Sequence, residues 1–220
     1  MNRTTLTIIM LLFLAITTVR SSAQEATDTK PLEEVVVIGS KQKHKTLSNR
    51  GTRILGAIST LTPDKVGYEV GSALSAKQPF EVEEIEFFII SNSIRDVTLQ
   101  VAIYRDSTFT EVLSQPIFAN IPEGNRQTVV AKPTERILLQ PGDYIVSIGL
   151  ADCDGETQQQ WANSDQWDGQ KRYQMMTKQN LQFPLYFKAG QIRSNPDDTF
   201  EKCPTNIGLK VKGVIHKPRH

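Results

Sequence analysis

Hydrophobic residues recur at every second position through much of the chain, the spacing of a strand with one face in the core. Val97, Leu99, Val101 and Ile103 alternate with Thr98, Gln100 and Ala102. Tyr144, Val146, Ile148 and Leu150 repeat the pattern behind the turn Gln140-Pro141-Gly142-Asp143. Near the end, Ile207, Leu209 and Val211 alternate with Gly208, Lys210 and Lys212. Between Phe80 and Ile90 the phase slips, because Phe80 and Val82 are out of step with Ile85, Phe87 and Ile89. One extra residue at Glu83-Glu84 would return both halves to the same face, so a β-bulge is expected there. Residues 52–58, 68–74, 126–131, 136–139 and 183–188 supply further strands, and no long segment carries a helical stripe. About nine strands joined by Pro, Gly and Asn turns predict an all-β fold, an antiparallel β-sandwich of jelly-roll type.

The first residues follow a different rule. Asn2 and Arg3 precede an apolar run from Leu6 to Ile16, and Ser21-Ser22-Ala23 supplies small residues for cleavage before Gln24. This is the pattern of a secretory signal peptide over residues 1–23, and the run is shorter than the roughly 20 apolar residues of a membrane span. The processed chain is therefore expected to be exported, in the periplasm or at the outer membrane and cell surface, without spanning a membrane. Residues 24–51 are polar and basic apart from one strand-prone segment, so they are expected to form a flexible arm, with the sandwich over residues 52–220.

With 25 basic and 24 acidic residues the net charge is +1, so no overall field draws the chain to nucleic acid. Cys153 and Cys203 are the two cysteines, and in an oxidising compartment they are expected to pair, two separate buried thiols being the other reading. Neither has a second cysteine or a histidine near it in sequence, and the chain calls for no cofactor.

The arm contains Leu32-Glu33-Glu34-Val35-Val36-Val37-Ile38-Gly39, followed by Ser40-Lys41-Gln42-Lys43. This order, acid then valines then glycine then Lys and Gln, resembles the TonB box of outer-membrane nutrient receptors. The resemblance implies a partner, a TonB-like energy transducer or an outer-membrane receptor, which would take the segment as an added strand. The receptor's plug and barrel do not fit in the rest of the chain. A second reading makes Val35 to Ile38 the first strand of the sandwich. Gly71-Ser72, Phe80-Glu81-Val82, Val101-Ala102-Ile103-Tyr104-Arg105 and Gln140-Pro141-Gly142-Asp143-Tyr144 are together similar to exported β-sandwich proteins of the carboxypeptidase-regulatory-like group. That similarity implies a non-catalytic accessory or ligand-binding module of the cell envelope.

Two clusters in the second half of the chain have site-like chemistry. Asp152, Asp154 and Glu156 place carboxylates at alternating positions, an echo of a calcium loop, although the rest of the EF-hand pattern is missing. Trp161, Trp167 and Tyr173, among Gln158 to Gln160, Asn163 and Asp165, have the aromatic and amide composition of a glycan platform, or else of a plug closing the sandwich end. Histidine occurs at His44, His216 and His220, in predicted arm or tail, so no base stands near a nucleophile. The expected function is a non-enzymatic interaction protein. A small carbohydrate-active hydrolase and an assembly subunit that donates its N-terminal strand are the alternatives.

Overall fold

The computed structural model describes residues 43–105, 111–194 and 198–215. The signal peptide, the segment from Leu32 to Gly39, His216 and His220 lie outside the described residues. The strands are β1 (Lys43–Ser48), β2 (Thr52–Leu61), β3 (Glu69–Ala76), β4 (Phe80–Asn92), β5 (Val97–Arg105), β6 (Glu111–Val112) and β7 (Ile117–Ile121). They continue as β8 (Gly124–Ala131), β9 (Ile137–Leu139), β10 (Gly142–Asp152), β11 (Leu181–Arg193), β12 (Glu201–Asn206) and β13 (Leu209–Ile215). Two helices, α1 (Gly155–Trp161) and α2 (Gly169–Lys178), join β10 to β11.

The hydrogen-bonded order is β1-β13-β4-β11-β3-β10-β5-β6, and each of these pairings is antiparallel. The path folds over on itself. Ile85, Phe87 and Ile89 of β4 and Leu209 and Val211 of β13 share one core with Val101 and Ile103 of β5 and Val146 and Ile148 of β10. The fold is thus all-β and antiparallel, with two layers around one interior, and the period-two positions of the sequence form the inner faces.

The bulge stands where the phase slip puts it. Lys212 pairs with Glu84 and Gly213 with Val82, so Glu83 is the extra residue. Gly213 belongs to the same device, because a Cβ there would meet the carbonyl oxygen of Glu81 at 1.9 Å. Only glycine allows β13 to approach the bulged strand so closely.

Three expectations are corrected. The basic stretch assigned to the flexible arm contains β1, which pairs with β13 from Lys43↔Ile215 to Ser48↔Lys210. It shows no apolar periodicity because an edge strand needs only one anchor, and Leu47 is its buried residue. The stretch that holds Trp161, Trp167 and Tyr173, expected from the absence of a helical stripe to be a loop, carries two short helices. Asp154 and Asp168 start its helices by accepting hydrogen bonds from the backbone N–H of Thr157 and Lys171. Finally, Cys153 and Cys203 are both free thiols. The register explains the separation: Cys203 is opposite Gly190, Gly190 opposite Ser72, and Ser72 opposite Val146. Cys153 lies farther along the chain past the end of β10, about 20 Å from Val146 at the rise of a strand, whereas a disulfide needs Cα atoms within about 7 Å.

Candidate functional site

The helical insertion holds the residues that the sequence singled out. Asp154 Oδ1 accepts from the backbone N–H of Thr157 at 3.0 Å and from Arg95 Nη2 at 3.2 Å. The same guanidinium reaches Glu156 Oε2 at 3.0 Å. The Thr157 hydrogen bond, with the Arg95 charge behind it, holds the Asp154 carboxyl below the usual carboxylate range. Asp152 Oδ1 accepts from Gln158 Nε2 at 2.6 Å and from the backbone N–H of Cys153 at 2.9 Å. Asp154 Oδ1, Glu156 and Asp152 Oδ1 are occupied in this way, Asp154 Oδ2 is buried without a partner, and among the described residues no three acids, histidines or cysteines converge as metal ligands.

The aromatic trio is divided by depth. Trp161 is 1% exposed, and its indole N–H donates to Gln179 Oε1 at 2.6 Å. It therefore plugs the fold and offers no open face. Trp167 leans on Trp161 with ring centroids 5.0 Å apart, and Lys171 Nζ sits 4.7 Å from the centroid of the Trp167 ring. Tyr173, on α2, is 70% exposed. Helical spacing turned what reads as one platform into an anchor, a packed ring and a single surface ring.

Cys153 is buried, and burial, followed by the charges of Asp154 and Asp152, pushes its thiol up to about 11. It is an inert packing residue at neutral pH. Cys203 is half-buried on β12, its Sγ 3.4 Å from Thr205 Oγ1.

A concentration of buried polar chemistry lies elsewhere, on the outer face of the layer made by β5, β10, β3 and the end of β11. Glu69 opens β3 and is 4% exposed. Its carboxylate accepts from Ser147 Oγ of β10, from Arg193 Nη2 of β11 and, at 3.1 and 3.2 Å, from the hydroxyl of Tyr104 of β5. Arg193 also donates to the Tyr104 hydroxyl at 2.7 Å. Phe200 covers the group, its ring 5.1 Å from that of Tyr104 and 4.7 Å from the guanidinium carbon of Arg193. Burial and the Glu69 charge push the Tyr104 hydroxyl up to about 12, so it stays a neutral donor. Gly149 makes room for the carboxylate, since a Cβ there would meet Glu69 Cγ at 2.8 Å. The serine is buried and the glutamate is fully engaged, so the cluster's work is to join four strands.

The sequence reading missed this constellation. Its one local sign was a carboxylate at the head of an otherwise apolar and small strand, Glu69 before Val70, Gly71 and Leu74.

Two grooves open at the margin of β1. One, of about 570 Å³, lies along the bulge and is lined by His44, Lys45, Glu83, Glu84, Lys132 and Lys212, with His44 Nδ1 3.1 Å from Glu83 Oε2. The other, of about 360 Å³, lies between β1 and β3 and is lined by Thr46 to Asn49, Ala73 to Ser75, Lys188 and Ala189. No family model matches the chain, and neither a curated protein nor a solved structure matches it.

Proposed function

We propose that the chain is an exported, non-catalytic interaction protein of the Gram-negative cell envelope, working beside TonB-dependent nutrient uptake. The observation behind this reading is the residue order from Glu33 to Lys43, acid, valines, glycine and a Lys/Gln run, leading directly into the first strand of the sheet at Lys43. A segment of high strand propensity joined to a β domain is suited to main-chain pairing with the edge of a partner sheet.

The test is capture of the processed chain, residues 24–220, by the periplasmic domain of a TonB-like transducer. Wild type is expected to be retained, and Val36→Pro, which removes an N–H from the pairing strand, to bind at least tenfold more weakly. Equal retention of both proteins overturns the proposal.

A further inference from the structure

We propose that the bulged edge formed by β2 and β11 docks on an anionic lipid surface, with Leu55 as the residue that enters the acyl boundary. The inference is independent of the arm and begins from where acids are missing. No Asp or Glu occurs in residues 35–63 or in residues 169–196, although the chain has 24 acids. These two stretches are remote in sequence, and the fold pairs them directly, from Leu61↔Leu181 to Thr52↔Phe187. Their pairing is interrupted once. Ile58 is opposite Pro184 and Arg53 opposite Tyr186, so Ile54, Leu55, Gly56 and Ala57 face Leu185 alone. The surplus residues are pushed out of the ladder as a large bulge. Gly56 turns it with a φ of 78°, and a Cβ there would meet nothing within 4 Å, so the bulge stands clear of the fold.

The bulge brings apolar and cationic side chains together. Leu55 at its tip is 89% exposed, and Ile58 and Phe187 at its two ends are exposed as well. Single exposed apolar residues are common on soluble proteins, but three gathered on one protrusion mark a contact surface. Arg53 and Lys188 stand beside Phe187, are exposed, and have no ion-pair partner among the described residues. The acids in register with β11 are Glu69 and Glu201, at its far end opposite Arg193 and Ile192. Cations around an apolar tip, with no carboxylate on either strand, match a bilayer: the headgroups take the charges and the acyl region takes the leucine. A second copy of this surface is a poor occupant, since face-to-face contact would bring Arg53 and Lys188 of both copies together. The docking is shallow. Among the described residues β2 pairs with β11 alone, and the backbone groups on its open edge need water, so only the bulge passes the headgroups.

Flotation of the processed chain with lipid vesicles tests the site. The protein is expected to float with phosphatidylcholine vesicles containing about 30% phosphatidylglycerol, to stay behind with phosphatidylcholine alone, and to be released as salt rises from about 50 to 500 mM. Leu55→Asp is expected to weaken association by roughly tenfold or more, and so is Arg53→Gln combined with Lys188→Gln. In Leu55→Trp, the added indole should shift its emission to the blue on the anionic vesicles and not on the neutral ones, a readout that leaves the charges in place. Phe118→Ser, at an exposed apolar residue of β7, should leave association unchanged, which separates this site from general stickiness. Val36→Pro should also leave it unchanged, which separates it from the arm. No flotation with anionic vesicles, equal flotation with both vesicle types, or a loss in Leu55→Asp no greater than in Phe118→Ser overturns the proposal.

Discussion

The outer faces of the two layers carry the same kind of cross-strand pair under opposite conditions. On β4 and β13, Glu86 Oε1 meets Lys210 Nζ at 2.8 Å and Glu84 Oε1 meets Lys212 Nζ at 2.7 Å, with Lys212 also 3.0 Å from Glu86 Oε2. These lysine side chains are 34% and 38% exposed, over Glu86 and Glu84 side chains that are 15% and 23% exposed. On β3 and β11, Glu69 meets Arg193 with side chains 6% and 10% exposed, under the ring of Phe200. An open pair is solvated and screened, so it contributes little. A buried pair has given up its water, and its members depend on each other and on every remaining hydrogen bond. The lysine pairs of β4 and β13 therefore add little to the fold, whereas the Glu69 cluster is a condition for it.

The largest test of that contrast is Glu69→Gln beside Glu86→Gln. The first leaves the Arg193 charge buried without its counter-ion and is expected to cost about 3–5 kcal/mol, while the second is expected to cost about 0.5–1 kcal/mol. Urea unfolding of both variants measures the gap, and a Glu69→Gln cost as small as that of Glu86→Gln breaks the comparison. Tyr104→Phe should fall between them. It keeps the ring against Phe200 but removes the hydroxyl shared by Glu69 and Arg193, an expected loss of about 1–3 kcal/mol.

The smallest effect is the acid dependence of the open pair. Hydrogen bonds from Lys210 and then Lys212 hold the Glu86 carboxyl at about 2, below its ordinary value. Its contribution is therefore fully present above the unfolded value of about 4.3 and is lost as pH falls toward 2. Glu86→Gln should flatten the stability profile of the chain within that acid window, its loss being full near neutrality and fading as pH falls toward 2. Thermal unfolding between pH 2 and 7 reads the difference, and an identical acid slope in both proteins removes Glu86 from the account.

The legibility of the fold follows the range of the forces that set it. Strand positions are dictated by local alternation, and so β5, β10 and β13 could be placed from their own residues, as could the bulge at Glu83. β1 was hidden because its anchoring requirement is a single leucine, and β12 because Cys203, Pro204 and Thr205 carry no alternating pattern. The helical insertion was hidden for a related reason: α2 has no buried residue, so it has no apolar stripe to read. The aromatic and acidic clusters were visible as composition, but composition does not state depth. Trp161 at 1% and Tyr173 at 70% exposed look alike in a list of residues.

The sequence alone determined the all-β character, the inner faces of the main strands and the bulge, because a pleated strand imposes its period on adjacent residues whatever its partners are. Only the tertiary structure decided which distant residues meet. It separated Cys153 from Cys203 through a chain of strand registers and brought Glu69, Tyr104, Ser147 and Arg193 under one aromatic ring. Those outcomes depend on register and order across strands remote in sequence, and no local pattern records them.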